Sequence, residues 1–109
     1  MKQECEFFDT DKVSWTPAEA AAGVSEKVLS RGPGVLLTRL ARWDQGLDTS
    51  ASGIIQHDYV EEVFLLQGDL TDLTLGQTFR AGHYACRPPG MPHGPYRTSY
   101  GCTMLEIRY

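Results

Sequence analysis

Several common functional classes are excluded by what this chain lacks. No run of about eighteen apolar residues occurs in its 109, as a membrane-spanning helix would need, and the opening MKQECEFFDTDKV has no apolar stretch of signal-peptide length. The expected setting is therefore the cytoplasm, with no membrane partner. Basic clusters are also missing: ten Lys and Arg stand against fourteen Asp and Glu, for a net charge of −4, and no Lys/Arg cluster exceeds two residues. A nucleic-acid partner is not expected without that electrostatic footprint. Cysteine is scarce. Cys5, Cys86 and Cys102 form an odd set without zinc-finger spacing, so neither a disulfide framework nor a thiolate metal site is expected, and all three read as small buried hydrophobes. Helical periodicity is confined to TPAEAAAG, where Thr16 suits an N-cap, Pro17 the first helical position and Glu19 a capping box before Gly23.

What is present is β-structure. The runs VLLTRLARW, GIIQHDYVEEVFLLQG, DLTDLTL, QTFRAGHYACR and TMLEIRY are separated by turn-rich RGPG, DQGLDTSAS, LGQ, RPPGMPHGP and TSYG. Short strands at regular spacing predict a sandwich or barrel. With 41% hydrophobic and 22% charged residues, the chain has the composition of one ordinary globular domain. Residues 1–12 are expected as an N-terminal arm and residues 13–109 as the domain.

Two stretches do more than form strands. VEEVFLL sets two carboxylates in an apolar run, and period-two geometry sends Glu61 and Glu62 to opposite faces. A carboxylate pointing into a barrel is costly unless a metal or cation compensates it. PPGMPHGP crowds four prolines into eight residues, a rigid turn that would hold His93 on a nearly fixed backbone.

At these residues the sequence resembles the cupin superfamily, whose motifs are G-x5-H-x-H-x3,4-E-x6-G and G-x5-P-x-G-x2-H-x3-N. Gly82, Pro88, Gly90 and His93 match the second motif, with Arg97 in place of its final asparagine. Glu61 and Gly68 match the end of the first, and His57 takes its second histidine; Ile55 occupies the first histidine's position and Thr49 that of the opening glycine. Trp15 to Pro17, EEVFLLQGDLTD, RAGHYACRPPGMPHGPY and the Gly101–Cys102 pair are most similar to the branch holding zinc-binding anti-sigma-factor cupins and acetylacetone-cleaving dioxygenases. The resemblance implies an all-β double-stranded β-helix, the jelly-roll barrel, with at most one short N-terminal helix.

It also implies one divalent metal held by His57, Glu61 and His93. Two imidazoles and a carboxylate form the facial triad of non-haem iron(II) oxygenases, and zinc with water in the fourth place is equally buildable; manganese(II) and nickel(II) are compatible. In a metal-free barrel the three would instead form a hydrogen-bonded polar trio. Glu62 is expected on the outer face as a solvated carboxylate, and His83, sharing the parity of Arg87, on an outer face or interface. Tyr59, Arg39, Arg87 and Tyr96 are candidate pocket groups that also read as surface or satisfied barrel residues. Tyr59, two positions from His57, is retained as the catalytic candidate, whereas Met91 and Phe64 read as packing.

The function expected first is an oxygenase acting on a small dicarbonyl or enolisable acid chelated by the metal. The alternatives are a metal-dependent isomerase or lyase, and a non-catalytic zinc or small-molecule sensing module. A homodimer is expected as well, because VLLTRLARW and TMLEIRY are apolar on more than one face and would expose strand edges.

Overall fold

A computed structural model describes residues 1–19 and 21–109. Its strands are β1 (Thr16–Pro17), β2 (Val24–Arg31), β3 (Leu37–Trp43), β4 (Glu61–Asp72), β5 (Gln77–Arg80), β6 (Tyr84–Arg87), β7 (Tyr96–Arg97) and β8 (Cys102–Arg108), with single 3-10 turns at Thr10–Lys12 and Ser50–Ser52. The all-β expectation is met. The short helix does not form among the described residues: Thr16 and Pro17 pair with Glu26 and Ser25 of β2, and the Thr16 hydroxyl donates to the Glu26 carbonyl instead of capping. A two-turn helix is marginal in water, so sheet pairing captures the segment. Ala20, inside the expected helix, lies outside the described residues.

The order is β1-β2-β3-β8-β4-β5, with β6 and β7 also paired to β4, and each pairing is antiparallel. Strand β4 organises the barrel because it changes partners along its length. Its first part pairs with β8 and β6, and residues Asp69–Asp72 pair with β5. Between these parts the register with β8 shifts at Leu65/Gln67, and Gly68 follows at a φ of +84°. A Cβ at Gly68 would run into the Gly101 carbonyl and come within 2.8 Å of the Cys102 Cα, so only glycine lets the two backbones close here.

Strand alternation fills the interior. Val24, Ala41, Val63, Leu65, Leu70, Tyr96, Cys102 and Met104 form one buried cluster. The same parity then carries charge inward at the start of β4, where Glu61 stands directly opposite Arg87 of β6 and Arg108 of β8. Arg39 of β3 stands opposite Glu106 of β8. The barrel thus has an apolar end and a polar end.

On the outer side, the Lys27 ammonium donates to the Thr10 carbonyl at 2.9 Å and Lys2 to the Thr38 hydroxyl at 2.6 Å, laying the N-terminal residues over β2 and β3. Three expectations need correction. β3 lies between β2 and β8, and β8 between β3 and β4, so neither strand is the exposed edge invoked for a dimer. The expected strand GIIQHDYVEEVFLLQG begins only at Glu61, leaving residues 55–57 in an irregular segment. Of the cysteines only Cys102 is buried; Cys5 and Cys86 are exposed, Cys5 in the N-terminal segment and Cys86 on the outward parity of β6.

Candidate metal centre

Three backbone hydrogen bonds bring the site together. Ile55 and His93 exchange N–H···O bonds of 2.8 and 3.0 Å, and the Gly90 N–H donates to the His57 carbonyl at 2.8 Å. The proline-rich turn is therefore strapped to residues 55–57, and Gly90 takes a φ of +81°, where glycine is unstrained. Directly opposed residues of an antiparallel bridge project to one side, which puts Ile55 on the His93 side.

His57, Glu61 and His93 converge so that one donor atom from each lies within 4.8 Å of the others. His57 Nε2 is 3.7 Å from Glu61 Oε2, and His93 Nε2 is 3.9 Å from Glu61 Oε1. The imidazole rings meet edge to face at 4.9 Å. Both rings are anchored in the same way: Nδ1–H of His57 donates to the Tyr59 carbonyl at 3.1 Å, and Nδ1–H of His93 to the Met91 carbonyl at 3.2 Å. A carbonyl only accepts, so each ring carries its proton on Nδ1 and turns an Nε2 lone pair toward Glu61. This is the outer support usual for metal-ligating histidines. Burial lowers the His93 pKa, with the nearby charge of Arg87 adding to the effect, and so favours the neutral ring. His57 Nε2 is buried without a hydrogen-bond partner. An orphaned acceptor of this kind costs free energy unless something fills its position, and a His/Glu/His cluster suits a metal ion.

Tyr59 stacks on His57, the rings nearly parallel at 2° with centroids 4.0 Å apart. Arg108 lies over the Tyr59 ring at 5.3 Å, and burial raises the Tyr59 pKa. Glu62 projects outward as its parity predicts, accepting from the hydroxyls of Tyr84 and Tyr109. His83 is exposed, its ring bonded at the Arg80 turn. Phe64 and Met91, expected as packing, are each 42% exposed.

Arg87, for which an outer or satisfied position was open, is buried inside. Its Nη1 donates to Glu61 at 2.5 Å and its Nη2 to the Tyr96 hydroxyl at 2.8 Å. Register explains this: opposite Glu61, it must share the inward face. Burial pushes the Tyr96 hydroxyl up to about 12. Arg39 is also internal, bridging Glu26 and Glu106 at 2.7 Å each, while Arg108 pairs with Glu106 at 2.6 Å. Burial works against the charge on Glu106, but Arg39 and Arg108 outweigh it and hold its pKa low. Glu61 goes the other way, raised by burial and then by Glu106. Sequence reasoning passed over Glu26, Glu106 and Arg108. The signal was present in TMLEIRY, where Met104, Glu106 and Arg108 share a parity that is apolar at one end and charged at the other.

A family model, the ChrR cupin-like domain, matches residues 3–107. The chain belongs to the ChrR cupin-like family. No curated protein matches it. Among solved structures, this cupin is similar to an RmlC-like cupin from Shewanella frigidimarina, at 16% identity and a TM-score of 0.75, covering 99% of this chain and 93% of that one. An acetylacetone dioxygenase from Acinetobacter johnsonii superposes with a TM-score of 0.69 at 19% identity, over 95% of this chain and 72% of that one. The polyketide cyclase RemF from Streptomyces resistomycificus gives 0.74 at 15% identity, over 96% and 79%. At these identities the likeness establishes the cupin fold, and its bearers have different chemistries, so the reaction must be argued from the site.

Proposed function

We propose that this cupin holds one divalent metal ion through His57, Glu61 and His93 and acts as an oxygenase on a small dicarbonyl or enolisable acid. The observation that carries the reading is the buried, unpartnered Nε2 of His57, aimed at Glu61 in a ring whose tautomer is fixed. A divalent ion held there supplies Lewis acidity toward a chelating, enolisable substrate and a meeting place for dioxygen. The chain's own residues supply the remainder. His93 stays neutral through burial, Tyr59 holds His57 by stacking and through its carbonyl, and Ile55 leaves one protein ligand fewer than the full cupin motif. Tyr59 is further proposed to orient an oxyanion through its phenol, which Tyr59→Phe isolates because the stack and the carbonyl survive that change.

Protein purified without chelator should contain one equivalent of iron(II) and take up oxygen with a member of a dicarbonyl panel. A first-row metal with turnover but no oxygen uptake would move the assignment to isomerase or lyase chemistry. Tightly held zinc without turnover would support a sensing module. Absence of stoichiometric metal would sink the metal reading and leave a ligand-binding barrel. The Arg87–Glu61 pair gives that outcome a physical basis, since the guanidinium already compensates the carboxylate.

A further inference from the structure

Beside the three-residue cluster the interior opens into a cavity of about 290 Å³, at the small end of the roughly 300–1,000 Å³ typical of ligand sites. Val63, Leu65, Leu70 and Phe79 give it apolar walls, and His93, Arg87 and Tyr96 also border it. It therefore adjoins the proposed metal centre through His93 while Arg87 stands on its wall. A guanidinium carries five N–H donors, and the bonds from Arg87 to Glu61 and Tyr96 use two.

The charges around the cavity are unequal in what they can still do. Asp72 borders it too, but its Oδ1 already accepts the N–H groups of Thr74 and Leu75. His83 lies at the exposed rim, its ring engaged by the Arg80 turn. His93 has its Nδ1 proton on the Met91 carbonyl. Arg87 alone is a buried fixed cation, and its one anionic partner is Glu61, the carboxylate assigned above to the metal. A neutral ligand would offer the remaining Arg87 donors no charge-assisted partner. A carboxylate would match the guanidinium with charge-assisted bonds, two of them if bidentate.

We infer that this cavity receives a compact apolar monocarboxylate, its carboxylate on Arg87 and its hydrocarbon body against Val63, Leu65 and Phe79. This deepens the proposed function, resting on it for the cavity as substrate chamber, and narrows the substrate from dicarbonyls in general to apolar oxo acids.

Titration calorimetry with phenylacetate and its neutral isostere phenylacetamide tests the inference, with metal content measured on the same samples. The acid should bind at least tenfold more tightly than the amide. Arg87→Gln should abolish that preference, and Arg87→Lys should keep part of it. Equal binding of acid and amide, or binding of neither, would overturn the inference whatever the metal content. So would a preference that survives Arg87→Gln in a folded variant. Should the variant fail to fold, the wild-type comparison still decides. Metal-free protein that prefers the acid supports the anion site while removing the metal reading, so the two fail separately.

Discussion

Arg87 and a metal ion would compete for one carboxylate, and that competition can be measured. Arg87→Gln removes the nearest cationic partner of a buried Glu61 and leaves it only the longer contact with Arg108 at 3.9 Å. Breaking a buried ion pair from one side costs about 3–5 kcal/mol. Glu61 recovers part of this by taking up a proton, since burial and Glu106 already raise its pKa, so the lower end of that range applies. At about 4–8 °C per kcal/mol for a small domain, the metal-free variant should melt more than about 10 °C below the wild type.

Zinc at a hundredfold excess over the wild type's dissociation constant stabilises the wild type by about 2.7 kcal/mol. At that same zinc concentration the variant should gain more, because its Glu61 no longer has to leave a guanidinium. The gap between the two proteins should therefore narrow on loading. Urea midpoints with and without zinc, at constant pH, provide the measurement. A gap that stays constant within about 0.5 kcal/mol would show that the ion and Arg87 do not share Glu61, and would refute the assignment of that carboxylate as a ligand.

Loss of either imidazole leaves too few donors, so His57→Ala and His93→Ala should each abolish stoichiometric metal, and Glu61→Gln should nearly do so; Glu62→Gln, outside the barrel, should leave binding intact by elemental analysis. Ile55→His should raise zinc affinity at least tenfold in a competitive chelator titration, because the Ile55–His93 bridge directs that side chain toward the site; unchanged affinity in a folded variant would break the motif alignment. Asp69 accepts the N–H groups of Ser99 and Tyr100, and these bonds outweigh burial and hold its pKa below the usual carboxylate value. Its stabilisation is thus present above the unfolded value near 3.8 and lost as pH falls through the lower folded one. Asp69→Asn should cost about 1–3 kcal/mol at pH 7 and less at pH 3; an equal cost at both would point away from the charge. The proposed homodimer now rests on the outer-face residues Phe64, Leu66 and Tyr84, 42%, 46% and 57% exposed, and light scattering showing one chain's mass at all concentrations would remove it.

The barrel was legible because period-two alternation and Gly/Pro punctuation are local signals, and they survive in β3, β4 and β8; β2, VSEKVLSR, was missed because its burial does not alternate. The convergence of three side chains was legible through spacing: His57 four residues before Glu61, and His93 behind its turn. What the sequence hid depends on which strand lies against which. Arg87 reads as an ordinary strand-end arginine until the β4–β6 register sets it across from Glu61. Glu26 and Arg39 lie on the paired strands β2 and β3, and the distant Glu106 joins them in one ion-pair chain only when β8 inserts beside β3. The edge argument failed for the same reason, since apolar character on both faces marks an interior strand as readily as an exposed edge. TPAEAAAG failed differently: its capping signals are genuine, but two turns of helix could not outweigh pairing with β2.

Ile55 in place of the first motif histidine and the buried Arg87 bear on the same balance of charge. Around Glu61 the barrel buries or half-buries three arginines, Arg39, Arg87 and Arg108, against three glutamates, Glu26, Glu61 and Glu106. That set is neutral without any ion, so the barrel needs no metal to balance its charge. A divalent ion adds two positive charges to a balanced interior, where unpaired charge is expensive. Without a histidine at position 55 the hold on such an ion would be weaker, and Arg87 draws on the same carboxylate, so both features would favour a site filled well only when an anion arrives with or after the metal. Metal affinity should therefore rise when an apolar carboxylate is present, and by linkage carboxylate affinity should rise by the same factor when metal is present.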